Sequence, residues 1–183
     1  MATVADEVTA FFAEKGESAY FGEAVSQLEH ALQAAHFAQQ DGAAPALIVA
    51  ALVHDIGHLV ADTSENIADL CIDARHEEAG EKWLAARFGK DVVEPAHLHV
   101  SAKRYLCATD VSYFGKLSLA SVQSLALQGG PMTADEVRAF EENEYYREAL
   151  LLRSWDDKAK IPNLATPPLE EYRELLNTVA ARR

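Results

Sequence analysis

The sequence predicts an all-α fold, a compact helical bundle, and three observations predict it. Apolar residues recur at helical spacing in one segment after another. No stretch alternates apolar and polar residues as a half-buried strand does. Glycine and proline fall between the periodic segments, where they punctuate helices. Of the 183 residues, 49% are apolar, enough for a real core in a single domain spanning 1–183.

Taken in order, Thr3 to Glu14 is a short amphipathic segment, broken by Lys15-Gly16-Glu17-Ser18. Ala19 to Glu23 is a loop or first turn. Ala24 to Gln40 follows, with Val25, Leu28, Leu32, Ala35 and Phe37 on its apolar face, and Gly42 stops it. Pro45 suits a helix start. Ala46 to Leu52 is apolar on all sides, which marks a buried central helix, and Gly57 is expected to end or loosen it near His58. Ala61 to Ser64 reads as loop. His76 to Phe88 is helical, with Ala79, Trp83, Leu84 and Phe88 inward and Gly89 as its cap. Val92 to Leu106 carries His97, His99 and Lys103. Ser118 to Gln128 is a further helix, closed by Gly129-Gly130-Pro131. Thr133 with Glu136 forms a capping box that opens a helix toward Glu142. Asn143 to Lys160 is amphipathic and ends before Pro162. Pro167-Pro168 opens a final helix to Ala180. There is no internal repeat and no long linker.

Composition narrows the function. Twenty-nine acidic against sixteen basic residues give a formal net charge of -13, and no basic stripe offsets it, so nucleic acid is not expected as a partner. No run of about 18 uncharged apolar residues suggests a membrane span, and Met1 to Asp6 lacks the basic flank and apolar core of a signal peptide. Cys71 and Cys107 form no ligand pair, which fits a reduced, cytoplasmic protein. Small-molecule chemistry is favoured. The state is expected to be monomer or homodimer, since the final helix could pack on its own core or on a second subunit.

The segment His54-Asp55-Ile56-Gly57-His58 carries the chemistry. A histidine and an aspartate stand side by side in an apolar run, where an unpaired carboxylate is expensive, so a metal or another cation is expected beside them. Adjacent helical residues do not share a face, but both can reach an ion lying between them. His30, His54, Asp55, His76, His99 and Asp156 form a candidate ligand set spread over five helices, as metal sites in helical bundles are. Four imidazoles and two carboxylates suit Fe, Mn, Co or Zn, and they exceed what one structural zinc needs. A two-metal centre bridged by Asp55 uses all six. Bland readings stand beside this one. His76 precedes Glu77 and Glu78 and reads equally as surface. His36 shares a helix with His30. His97 competes with His99, and Asp157 with Asp156; Lys103, four residues on, favours the face of His99.

Tyr20-Phe21-Gly22-Glu23, Gln27-Leu28-Glu29-His30, His54-Asp55-Ile56-Gly57-His58, Lys103, Ser121 to Pro131 and Arg153-Ser154-Trp155-Asp156-Asp157-Lys158 together resemble the HD-domain mixed-valent diiron oxygenases of organophosphonate breakdown, over residues 15–165. The resemblance implies an HD-domain helical bundle with His30, His54, Asp55, His76, His99 and Asp156 as ligands of two iron ions, Fe(II) and Fe(III). Asp55 would bridge them, and O2 would be the co-substrate. It places Asp156 rather than Asp157 in the ligand register. It implies that Tyr20 closes one iron when substrate is absent and that Glu23 meets a substrate ammonium. The phosphonate would be bound by Lys103, by His58 and by Ser121, Ser124 and Gln128, whose i, i+3 and i+7 spacing places them on roughly one helix face.

The implied reaction is oxygen-dependent C–P cleavage of 1-hydroxy-2-aminoethylphosphonate or its trimethylammonio analogue, giving phosphate with glycine or glycine betaine. An aromatic box would favour the quaternary ammonium. Two readings compete: an HD phosphohydrolase acting on a small phosphomonoester or nucleotide, which needs the same ligand types, and a metal-stabilised structural protein. Tyr20 and Glu23 discriminate against the first, and the number of convergent ligands against the second.

Overall fold

The computed structural model describes residues 2–60 and 80–180, and these are almost entirely helical. The helices are α1 (Val4–Lys15), α2 (Gln27–Gln40), α3 (Pro45–Val53), α4 (Ile56–Val60), α5 (80–85), α6 (Lys90–Thr109), α7 (Leu119–Leu127), α8 (Ala134–Glu141), α9 (Tyr146–Lys158) and α10 (Arg173–Val179). Short 3₁₀ turns occupy Phe114–Lys116 and Leu169–Tyr172. Extended pairing among the described residues is limited to two isolated bridges, Ala19 with Ser26 and Phe88 with Ala180. The expected loop at 61–64, the opening of the expected helix at 76 and the candidate ligand His76 lie outside the described residues.

The central helix is α3. Pro45 starts it, where the missing N–H costs nothing. Every residue from Leu47 to Val53 is buried, so the all-round apolar run is a core helix as expected. It packs against α2, α6, α9 and α10, and α6 lies along α9. The core joins Val8 and Phe12 of α1 to Ala34 and Ala35 of α2, Leu52 of α3, Trp155 of α9 and Leu176 of α10. A smaller cluster of Ala102, Phe140 and Ala149 ties α8 to α6 and α9.

Several boundaries depart from the sequence expectation. Helix α2 begins at Gln27 rather than Ala24, because Ser26 and Glu29 form a capping box (Glu29 N to Ser26 Oγ 3.1 Å, Ser26 N to Glu29 Oε2 2.8 Å). The residues before it make a tight turn, in which Phe21 (φ 44°) and Gly22 (φ 79°) take left-handed backbone. Gly57 does not end the central helix. The break falls at His54–Asp55, and Gly57 lies inside α4. Its backbone is closely approached by α5, since a Cβ on Gly80 would stand 2.9 Å from the Gly57 Cα. Gly89 caps the helix that follows it rather than the one before, its carbonyl accepting from Val92 N and Val93 N at 3.1 Å.

Helix α9 starts at Tyr146 because the Asn143 side chain takes the Tyr145 amide at 2.8 Å in a local turn. It ends at Lys158, so Ala159 and Lys160 fall beyond it. The final expected helix is a 3₁₀ turn followed by α10. The Thr133–Glu136 capping box forms as expected.

Candidate active site

The end of α3 and the start of α4, the first turn of α2, the middle of α6 and the C-terminal turn of α9 converge. Three imidazoles meet there in one arrangement. His30 Nδ1 lies 2.8 Å from the Ala159 carbonyl, His54 Nδ1 2.8 Å from the Ala51 carbonyl and His99 Nδ1 2.6 Å from the Ala96 carbonyl. A carbonyl only accepts, so each Nδ1 carries the donated hydrogen. Each Nε2 then turns inward, the orientation that metal-ligating histidines take when their other nitrogen is held. The early end of α9 matters here, because it leaves the Ala159 carbonyl free for His30.

The carboxylates complete the group. Asp55 Oδ2 lies 3.3 Å from His54 Nε2 and 3.8 Å from His30 Nε2, whereas Asp55 Oδ1 lies 3.4 Å from His99 Nε2 and 4.0 Å from His58 Nε2. Asp156 Oδ1 stands 3.5 Å from His30 Nε2. Two sets of candidate metal donors result, His30 with His54 and Asp156, and His54 with Asp55 and His99, each with its donor atoms within 4.8 Å of one another. The donor set fits a metal. His30 Nε2 and His54 Nε2 face each other at 3.2 Å with carboxylate oxygens beside both, a cluster of lone pairs that a cation satisfies.

The electrostatics divide the two imidazoles, and a bound cation would take the place of the proton that Asp55 favours on His54. Burial pushes His30 down to about 4, so it is a neutral, ligand-ready imidazole. Burial also opposes a charge on His54, but the adjoining Asp55 outweighs it and raises His54 to about 9. Burial works against ionised Asp55 and Asp156 as well. His54 nevertheless holds Asp55 well below the usual carboxylate range, and Arg153 does the same for Asp156.

Residues expected around the centre line one cavity: Tyr20, Glu23, His58, Lys103, Ser121, Ser124 and Gln128 all face it, with His54, Asp55, His99 and Asp156 at its base. His30 lies behind them, fully buried. The Tyr20 hydroxyl donates to Asp55 Oδ2 at 2.8 Å, and its ring stacks on His30 at 3.8 Å. The buried Lys103 ammonium donates to Ser124 Oγ at 2.6 Å. Burial and the nearby Arg153 lower it to about 8. Both open alternatives divide by burial. His99 has a side chain 12% exposed and faces Asp55, while His97 is 42% exposed and faces Glu81. Asp156 is buried beside His30, whereas Asp157 joins Tyr113 and Arg153.

Two cations at the cavity had no assigned role in the sequence. Arg153 donates to Asp156 Oδ2 at 2.7 Å, to Asp157, and to the Tyr113 hydroxyl at 3.0 Å, which leaves Asp156 Oδ1 toward His30. Its i, i+3 spacing to Asp156 was the available signal. Lys160 reaches Ser121 Oγ at 3.1 Å and stands 3.5 Å from Glu23 Oε1. It lies past the helix end, and its i, i+4 spacing to Asp156 in the sequence gives no link to Glu23.

With this geometry described, similarity to known proteins is decisive. The chain is 48% identical over 174 residues to a hydroxymethylphosphonate dioxygenase of Gimesia maris, covering 93% of this chain and 86% of that one. It is 41% identical over 164 residues to a glycine-betaine-forming [1-hydroxy-2-(trimethylamino)ethyl]phosphonate dioxygenase of Leisingera caerulea, covering 90% and 84%. The chain belongs to the HD-domain phosphonate dioxygenases. An uncharacterised mimivirus protein, L432, is 36% identical over 163 residues, covering 88% of this chain and 74% of that one. No protein-family model matches the chain. No described helix of this family member is long and apolar enough to cross a membrane.

Proposed function

We propose that this protein is a non-haem diiron oxygenase that cleaves the C–P bond of a small 1-hydroxyphosphonate with O2, giving phosphate and a carboxylic acid. The carrying observation is the convergence of His30, His54, His99, Asp55 and Asp156 at the base of a cavity walled by phosphonate-suited donors. Two relatives named as phosphonate dioxygenases support it. His76 completes the proposed ligand set. Asp55 is the proposed bridge, since its two oxygens face different histidines. Two iron ions held there, one Fe(II) and one Fe(III), would supply the one-electron chemistry that O2 needs to attack a C–H bond.

The chain's own residues bind and orient. Lys103, on a buried stem, supplies a charge-assisted donor to the phosphonate, and Ser121, Ser124, Gln128 and His58 surround the same volume. Tyr20 lies over Asp55 and His30 and is the group that substrate must move aside. By the family resemblance, Glu23 would face the end of the substrate away from phosphorus. The overall balance needs no added reductant: the hydroxyl and phosphonate oxygens of the substrate, with both atoms of O2, account for every oxygen of a carboxylate and a phosphate. The family resemblance implies 1-hydroxy-2-aminoethylphosphonate or its trimethylammonio analogue, with glycine or glycine betaine as product. The Gimesia relative is named for hydroxymethylphosphonate.

The test is phosphate release by iron-loaded protein from these three hydroxyphosphonates, with and without air, beside a panel of phosphomonoesters. Release that requires O2 and occurs only with a hydroxyphosphonate is expected. Release from a phosphomonoester without O2 would instead establish the hydrolytic HD reading.

A further inference from the structure

We propose that Lys160 sets substrate specificity by neutralising Glu23 from within the chain, so that the cavity selects a 1-hydroxyphosphonate with no cationic arm. This rests on the reading of the site as one that binds a 1-hydroxyphosphonate. Glu23 and Lys160 both line the cavity, with side chains only 17% and 13% exposed. Glu23 Oε1 accepts no hydrogen bond among the described residues, and the Lys160 ammonium stands 3.5 Å from it. Lys160 is held there from the other side, donating to Ser121 Oγ at 3.1 Å and Ser118 Oγ at 3.4 Å of the α7 start.

A carboxylate oxygen hidden from solvent and without a hydrogen bond is stabilised by a nearby cation. A site built to take that cation from its substrate would have no use for one of its own. Here a substrate ammonium can reach Glu23 only by displacing Lys160, which leaves two cations competing for one buried carboxylate. Discrimination through a charge that the wrong ligand strands is a general route to specificity. A hydroxyphosphonate without an ammonium displaces nothing, and it leaves Lys160 beside Ser121 on the wall where an anion binds.

The experiment is calorimetric binding of hydroxymethylphosphonate and 1-hydroxy-2-aminoethylphosphonate to anaerobic, metal-loaded protein, for the wild type, Lys160→Met and Lys160→Arg. The wild type is expected to bind hydroxymethylphosphonate roughly tenfold tighter. Lys160→Met should abolish or invert that preference, and Lys160→Arg, which keeps the charge, should retain it. Wild-type preference for the amino compound would overturn the proposal. So would an equal loss for both ligands in Lys160→Met, because Lys160 would then be a phosphonate ligand. If Lys160→Met fails to fold, the wild-type preference and its survival in Lys160→Arg still decide. Oxygen-dependent phosphate release is measured separately. Its absence alongside the expected binding preference would overturn the oxygenase reading and leave the role of Lys160 standing.

Discussion

Asp55 divides its two carboxylate oxygens between different partners, Oδ2 toward His54 and His30 and Oδ1 toward His99. Replacing it by alanine removes a carboxylate whose two oxygens face different histidines. Asp55→Ala is therefore expected to lose at least one of two bound irons by elemental analysis and to lose turnover; two retained irons would contradict a bridging role. Lys103 predicts a pH dependence. It is lowered to about 8, so it is charged below that pH and neutral above it. Affinity for a phosphonate dianion should fall, and KM rise, as pH climbs through about 8. Lys103→Gln should have a high KM at all pH values, without that inflection and with unchanged iron content. The residues carrying both predictions were legible in the sequence because a polar pair in an apolar run, and a lysine four residues beyond a histidine, are local signals. Arg153 and Lys160 were not. Arg153 acts by orienting another side chain, and Lys160 reaches Glu23 across more than a hundred positions of chain.

Helix ends, more than helix faces, place the proposed ligands. The break between α3 and α4 falls at His54–Asp55, and there the two neighbouring side chains stand 3.3 Å apart in the same cluster. The sequence suggested a break nearby but placed it at Gly57, because glycine is the usual local signal for one. The role of Gly57 is tertiary, a close approach by Gly80, and no local pattern encodes that. Gly80→Ala should cost about 1–3 kcal/mol by overpacking, seen as a lower Tm. Ser26 was missed as a helix start because the apolar periodicity extends back to Val25 and masks the cap. Ser26→Ala removes the side-chain half of the capping box and should cost about 1 kcal/mol. An unchanged Tm in thermal unfolding would contradict that assignment.

For the molecule as a whole, the all-α class and the central position of α3 were readable from periodicity, because an all-round apolar segment has only the core to occupy. The proposed binding of an anion by a chain of net charge -13 was less obvious, and the fold offers cations for it locally. Lys103 and Arg153 come from different stretches of chain to the same cavity, where low dielectric strengthens their effect, while Lys160 stands against Glu23. The buried ligand cluster should also couple metal to folding. With free metal at about 100 times Kd, binding to the native state alone adds about 2.7 kcal/mol. Chelation is then expected to lower Tm by about 5–11 °C, reversed by adding iron back.

The most direct test of the oxygenase chemistry is turnover of a hydroxyphosphonate under ¹⁸O2 in ordinary water, with mass analysis of both products. The expected result is one heavy oxygen in the carboxylate and one in the phosphate, with one O2 consumed per phosphate released. Phosphate formed without O2, with its new oxygen drawn from water and none from ¹⁸O2, would contradict the account and make the centre hydrolytic.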